Sequence, residues 1–600
     1  MKVDVMKNSE HHCISNTSEC DLLMLLHDSP FVTQKELSER ATLSIGMVNK
    51  CLHDLEVQGY LDKAFALTDK ANALISDSKV NSAVILAAGT GMRMVPVNHI
   101  QSKGLLEVKG ERLVERQIRQ LHEAGITKIK IVVGFMKESY EYLMDKYGVD
   151  LIVCDDYIFK NNIYSVYLAT EKPESSYIIP CDIWFAENPF RSYELYSWYM
   201  VSESGDSEST VSSNRKHELV RSSGGSNKMI GISYICKEDM VTLRSRIIEL
   251  LKDPNNYRAF WEEGLFAGNK MIVSSRIVRE DEYKEINTYE QLREIDSNSA
   301  GLRSGAIDTI REVFGCSSDD IKNIITLKKG MTNRSFSFCV DGIKYIMRIP
   351  GEGTDMLINR KQEADVFKAI SGLGLCDDPV YIDPDNGYKI TKYLENARTC
   401  DSENDEDLAI CMKKLRAFHE MKLKVDHDFD IFGQIKFYEG LWDSPSSAYP
   451  DYPETKKNVL SLRPFIDAVK GASVLTHIDA VPDNFLFYST DGGKEEVQLT
   501  DWEYAGMQDP HVDIAMFCIY SLYDKAACDK LIDIYFDGKC DTVTRKKIYC
   551  YIAACGLLWS NWCEYKRQFG IEFGEYSLRQ YRYAKEFYRY ANSLTDRGDK

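Results

Sequence analysis

The chain has 600 residues, 44% hydrophobic and 28% charged, with a formal net charge of −18. That length exceeds a single hydrophobic core and implies roughly three to five domains, while the acidic balance argues against wholesale binding to a phosphate backbone or an anionic membrane, which relies on clustered Lys and Arg. The 17 Cys show neither a CxxC pair nor a metal-ligand spacing, no apolar run approaches a membrane span, and MKVDVMKNSEHHC lacks a signal-peptide core, so a cytoplasmic protein with reduced thiols and small-molecule partners is expected.

Residues 1–78 carry three short helical patterns and a small strand-like pair. In TQKELSERAT, Thr33 is placed to cap a helix, with Glu36 following at capping-box spacing. With residues 44–58 as the recognition helix and 60–67 as the wing, the segment resembles a MarR-like winged helix-turn-helix. Lys50 on that helix is offset by Asp54 and Glu56, which speaks against DNA binding and for a regulatory or packing module. The alternative is a DNA-binding regulator whose catalytic domains sense metabolites.

From Val80, SAVILAAG reads as a buried strand, residues 113–124 as an amphipathic helix and KIKIVVG as the next strand, a βαβ pattern that predicts an α/β domain over 79–296. ESGDSESTVSSN predicts a flexible loop, and the polar residues 297–305 a linker. In 306–600 a small β-rich part precedes long helices, the layout of a two-lobed protein-kinase-like fold. The chain as a whole is expected to be multidomain, α/β and α+β.

The first chemical motif is LAAGTGMRM. Leu86, Ala87, Ala88, Gly89, Thr90 and Gly91 let the backbone bend sharply and turn N–H groups toward an anion, and Arg93 and Lys103 supply cations. Together with SKGLLEVKGERLVERQI, this string resembles the Rossmann-like nucleotidyltransferases that activate sugars and choline phosphate. Ser102 replaces the Pro usual before the Lys, and Asn98 a Thr. The resemblance implies that the loop binds the NTP, that Lys103 contacts phosphate, that Asp182 in YIIPCDIWF binds Mg²⁺, and that Glu263 in FWEEGL, or else Glu262, is the second metal carboxylate. NNIYSVYLA matches the choline-type branch, its Asn and Tyr either lining the pocket or capping and packing a helix. The expected chemistry is attack of a phosphomonoester oxygen on the α-phosphorus of CTP, releasing pyrophosphate.

The second motif is THIDAVPDN. Asp479 is placed to take a hydroxyl proton and Asn484 to meet Mg²⁺, with Asp501 of LTDWEYAG as the principal Mg²⁺ ligand. Upstream, Gly330, Thr332, Asn333 and Ser335 of KKGMTNRSFSF are placed to close over ATP phosphates, with Arg348 on the strand behind. Arg348 stands where protein kinases keep Lys, and an Ala-Pro-Glu segment is missing. These motifs resemble bacterial choline kinases of the aminoglycoside-phosphotransferase-like superfold across residues 308–590. Glu363 pairs with the nucleotide-lobe cation or forms an ordinary exposed helical salt bridge. A quaternary ammonium is recognised by aromatic faces with acidic help, which points to Trp559, Trp562, Tyr504 and Glu503, although an aromatic stripe at helical spacing also serves as core. His419, His511 and Asp513 are read as structural. The resemblances combine into one expectation: choline and ATP give phosphocholine, which with CTP gives CDP-choline for decoration of surface glycans, or the same chemistry acts on ethanolamine.

Overall fold

The computed structural model describes residues 14, 16–30, 33–97, 101–206, 209–222, 226–268, 271–327, 333–351, 357–490, 493, 495–568 and 573–594. The chain divides into two compact units, Met1–Ser304 and Gly305–Lys600. Among the described residues no helix is long and apolar enough to cross a membrane.

The first unit opens with helices α1 (Thr17–Asp28), α2 (Gln34–Ala41), α3 (Ile45–Val57) and α4 (Asp69–Asp77). Asn16, Thr33, Ser44 and Thr68 cap them, each side chain accepting a first-turn N–H. Between α3 and α4 the chain doubles back through an antiparallel Leu61–Leu67 bridge. Leu22, Leu23, Leu37, Val48 and Leu52 form the core of this module, against which Tyr193, Leu195 and Tyr196 of the following α/β domain also pack. The contact includes a 2.7 Å hydrogen bond from the Tyr196 hydroxyl to Asp21.

The α/β domain is built on β1 (Ser82–Ala87), α5 (Leu113–Glu123), β2 (Ile129–Val133), β3 (Asp150–Val153), α6 (Asn162–Ala169), β4 (Ser176–Pro180), β5 (Trp198–Asp206), β6 (Ser226–Ile235), α7 (Lys237–Leu250) and β7 (Ser274–Val278). The strands form one seven-stranded sheet, ordered β7-β5-β6-β4-β1-β2-β3. The apolar run SAVILA is buried on both faces, which suits a central strand with parallel neighbours, and β1 pairs in parallel with β2 and β4. Because Leu86 is in register with Pro180, the loops leaving β1 and β4 emerge side by side.

Of ESGDSESTVSSN, expected as a flexible loop, residues 203–206 end β5 and Val211–Ser213 form a short strand, with Asp206 paired to Ser226 and the short strand to Leu219–Arg221; Ser207 and Glu208 lie outside the described residues. Within 297–305, expected as a linker, Ala300–Leu302 forms a 3₁₀ turn; Leu302 is buried and the Ser299 hydroxyl donates to the Glu107 carbonyl, so apolar burial and a backbone acceptor hold it to the first unit.

The second unit contains β8 (Lys322–Thr326), β9 (Asn333–Val340), β10 (Ile343–Pro350), α8 (Arg360–Ile370), β11 (Tyr381–Ile382) and β12 (Lys389–Lys392), with sheet order β8-β9-β10-β12-β11. A helical part follows, centred on the almost wholly buried helix Thr542–Arg567. The THIDAVPDN loop runs between the strands Val474–Thr476 and Phe485–Ser489, each anchored by antiparallel pairing.

Candidate active sites

The loops after β1 and β4 border a cavity of about 670 Å³ lined by Leu86, Ala88, Gly89, Gly91, Arg93, Lys103 and Asp182, among others. Gly91 has φ of +59°, a left-handed backbone that favours glycine, and a Cβ there would sit in contact with Lys103 Cβ at 3.4 Å. Of the expected nucleotide residues, Ala87 packs into the sheet core and Thr90 is outside the cavity lining. Lys103 is held from its flanks: Ser102 and Tyr140 share a 2.6 Å hydrogen bond, and a Cβ on Gly104 would lie 2.8 Å from the Tyr140 hydroxyl. Its ammonium donates to Asp182 and, at 2.5 Å, to Asn287 Oδ1, which also accepts from Arg93 at 2.8 Å.

Asn287 escaped the sequence reading. Strand Tyr283–Glu285 pairs antiparallel with Ile183–Phe185, and the Ile286 N–H donates to the Asp182 carbonyl, which brings Asn287 beside Asp182. The Asp182 carboxylate and the Asn287 amide carbonyl are hard oxygen donors sharing one cation, a set that suits Mg²⁺. Glu263, expected as the second metal carboxylate, is instead paired with Arg221 and absent from the cavity lining. Its neighbour Glu262 is buried, accepts from the Tyr199 hydroxyl at 2.9 Å, and is pushed up to about 7 by desolvation. Asn161 both caps α6 and lines the cavity, so the two readings of NNIYSVYLA coexist at that residue.

In the second unit a cavity of about 690 Å³ gathers Asp479, Asn484, Asp501, Asn333, Ser335 and Arg348 with Trp559, Trp562 and Tyr504. Gly330 and Thr332 lie outside the described residues. The loop geometry is enforced: Ile478, β-branched, has φ of +70°, and Asp501 has φ of +64°. Asp513 clamps the loop by accepting from the backbone N–H of His477 at 3.0 Å and of Ile478 at 2.7 Å, and is itself bonded to His419 at 2.9 Å. Thus His419 and Asp513 are structural residues that position the loop. The Asn484 amide donates to Asp479 Oδ2 at 3.0 Å, so its carbonyl end and the Asp501 carboxylate form a second hard-oxygen set suited to Mg²⁺. Burial, with Asp501 and Glu503 close by, pushes the Asp479 carboxyl up to about 8; burial and Glu503 raise Asp501, against the pull of Lys389 and Arg348.

Glu363 is buried and receives a bidentate pair from Arg348 at 2.5 and 2.7 Å, with Arg360 at 3.2 Å and Lys389 at 3.2 Å, which excludes the exposed-salt-bridge reading. Burial alone would raise this carboxyl, yet Lys389 and Arg348 hold it well below the usual range. Glu503, expected beside an ammonium ligand, belongs to the same network: it accepts from Asn333 at 2.9 Å and Arg360 at 3.3 Å, so its charge is already compensated. The adjacent Tyr504 faces the other way, edge-on to Trp559 at 5.7 Å, and Trp559 lies 6.2 Å from Trp562. Both Trp are buried and border the cavity, serving as core and wall together; Tyr520 and Tyr576, which the sequence reading did not single out, complete that wall.

A Gly-rich loop beside Asp182 at the ends of two adjacent parallel strands, and a His-x-Asp loop in the unit that holds a five-stranded nucleotide lobe, define a chain with two transferase sites. Residues 83–193 match the MobA-like NTP transferase domain and residues 324–551 the choline/ethanolamine kinase family. The chain is 30% identical over 233 residues to a 2-aminoethylphosphonate cytidylyltransferase of Lancefieldella rimae, covering 37% of this chain and 91% of that protein. It is 44% identical over 117 residues to a choline-phosphate cytidylyltransferase of Streptococcus pneumoniae, 20% of this chain and 51% of that one, so this match spans about half the relative's length. Protein LicA of Haemophilus influenzae is 26% identical over 272 residues, 42% of this chain and 96% of that protein. The chain therefore belongs to the cytidylyltransferase family of MobA-like nucleotidyltransferases, and it carries a choline/ethanolamine kinase domain in its second unit.

Proposed function

We propose that the chain is a bifunctional enzyme whose second unit phosphorylates choline with ATP and whose first unit converts phosphocholine and CTP to CDP-choline and pyrophosphate. One observation carries this reading: the raised carboxyl of Asp479 shares a cavity with an aromatic wall in the second unit, while among the described residues lining the first-unit cavity the one carboxylate, Asp182, is already paired with Lys103. An alcohol must lose a proton as it attacks, whereas a phosphomonoester is already an anionic nucleophile. The product of the first chemistry is the acceptor required by the second.

In the kinase site Asp479 accepts the choline hydroxyl proton as its oxygen attacks the γ-phosphorus, and Asn333, Ser335 and Arg348 position the nucleotide. Trp559, Trp562 and Tyr504 hold the trimethylammonium head against aromatic faces. In the cytidylyltransferase site Arg93 and Lys103 neutralise charge growing on the α-phosphate and the leaving pyrophosphate, and Leu86, Ala88, Gly89 and Gly91 leave room for the nucleotide. Asn484 and Asp501 in the kinase site, and Asp182 and Asn287 in the other, would hold Mg²⁺, which would supply positive charge to phosphate oxygens. The order of α1 to α3 and the Leu61–Leu67 hairpin support a winged-helix reading of residues 17–77, which we take as a regulatory or packing module.

The test is a coupled assay of the full chain with Mg²⁺, ATP, CTP and choline, ethanolamine or 2-aminoethylphosphonate in turn, read by mass spectrometry. CDP-choline as the major product supports the reading. Its absence, or preference for a primary amine, overturns the choline assignment. We read the CDP-choline as a donor for choline decoration of surface glycans.

A further inference from the structure

Lys160 lines the nucleotidyltransferase cavity. Its ammonium lies 3.8 Å from the centroid of the Tyr164 ring and 5.0 Å from that of Tyr257, and is bonded to the Asp156 carboxylate at 2.5 Å. The Lys160 side chain is only 18% exposed, and the two rings it covers do not themselves line that cavity. Asn161 ties the enclosure together, its N–H donating to the Tyr257 carbonyl at 2.7 Å and its side chain to the Arg258 carbonyl at 3.2 Å.

Two aromatic faces and one carboxylate around a cation make up a recognition set for an alkylammonium. Here the cation comes from the chain itself. We propose that Tyr164, Tyr257 and Asp156 form the subsite for the cationic head of the acceptor in the cytidylyltransferase reaction, and that Lys160 is its resident occupant, displaced when the acceptor binds. This rests on the first-unit function proposed above. A lysine suits the role because its long stem lets the ammonium leave into water without moving the backbone. The occupied state keeps two aromatic faces covered and Asp156 neutralised until a competing cation arrives. A neutral or anionic phosphate ester would have no means of displacing Lys160 from the rings.

The test measures KM for phosphocholine and for CTP in the full chain, with tetramethylammonium, the head alone, as a competitive inhibitor. Lys160→Met keeps the stem and removes the competitor: KM for phosphocholine and the inhibition constant of tetramethylammonium should both fall by roughly three- to thirty-fold, the span from exposed to desolvated cation–π contacts, with KM for CTP unchanged as the check on folding. Tyr164→Leu combined with Tyr257→Leu should raise KM for phosphocholine and abolish the gain from Lys160→Met. If the wild-type chain makes CDP-choline but Lys160→Met leaves its KM unchanged or raises it, Lys160 is a neutral bystander or a phosphate ligand, and this inference alone is overturned. If the wild-type chain makes no CDP-choline from phosphocholine and CTP, the function proposed for the first unit fails and takes this inference with it.

Discussion

The two cavities are nearly equal in size, about 690 and 670 Å³, yet they are electrostatic opposites. In the kinase unit carboxylates are crowded and desolvated, so Asp479 and Asp501 are both raised. Among the described residues lining the first-unit cavity Asp182 is the one carboxylate, neutralised by Lys103, with Arg93 on the neighbouring Asn287. The difference follows from the acceptors proposed for them: one site must take a proton from a weakly acidic alcohol, the other must only overcome repulsion between two phosphates. Base strength is built by desolvation and like charge in one place, and charge neutralisation by hydrogen-bonded cations in the other.

The largest effect that would break this contrast comes from Asp479→Asn. It should lower choline phosphorylation by about 10²- to 10⁴-fold, the range for a lost general base, while CTP-dependent activation of supplied phosphocholine stays intact; loss of both in a folded chain would overturn the two independent sites. Glu363→Ala leaves three buried cations without their shared partner, and chemical denaturation of the second unit should show a loss of about 3–5 kcal/mol, with no comparable change in the first. Lys103→Met should lower only the CTP reaction, by about 10²-fold or more. The pH profile of the kinase step sharpens the comparison: Asp479 works ionised, so the rate should climb with pH through a limb near 8 in the free enzyme. A limb that falls with rising pH would exclude Asp479 as the base. The smallest test concerns Glu262. Its folded carboxyl stays protonated to about 7, whereas an unfolded one ionises near 4.5, so stability of the first unit should fall as pH rises between those values. Relative to Glu262→Gln the loss is on the order of 3 kcal/mol.

The sequence was most legible where a site is made by one loop. Gly91, Arg93 and Lys103 lie on a short stretch, as do Asp479 and Asn484, and local spacing alone brings them together. Asn287 was illegible because its place beside Asp182 depends on the pairing of Glu285 with Ile183 across the chain. Glu263 has the charge and the motif of a metal ligand, but its position in the chain does not reveal that Arg221 pairs with it outside the cavity lining. Glu503 illustrates a subtler point, since it lines the same cavity as Tyr504 but spends its charge in the ion network. It neighbours Tyr504, yet successive side chains leave the backbone on different sides, sending one into the ion network and the other to Trp559. Tyr520 and Tyr576 come from separate helices, so no single stretch announces the aromatic wall.

The contact of Asp21 with Tyr196 bears on how the chain can be taken apart. Tyr196 follows the strand Ile183–Phe185 that leaves Asp182, and its hydroxyl ends on a carboxyl contributed by α1, which burial has pushed up. A cut after residue 78 would therefore uncover Tyr193, Leu195 and Tyr196 on one fragment and the matching apolar face on the other. Both pieces would be prone to aggregate, and silence from either could be mistaken for lack of function. The division that respects the packing falls after Ser304, and a fragment ending there should retain the cytidylyltransferase chemistry together with its helical escort.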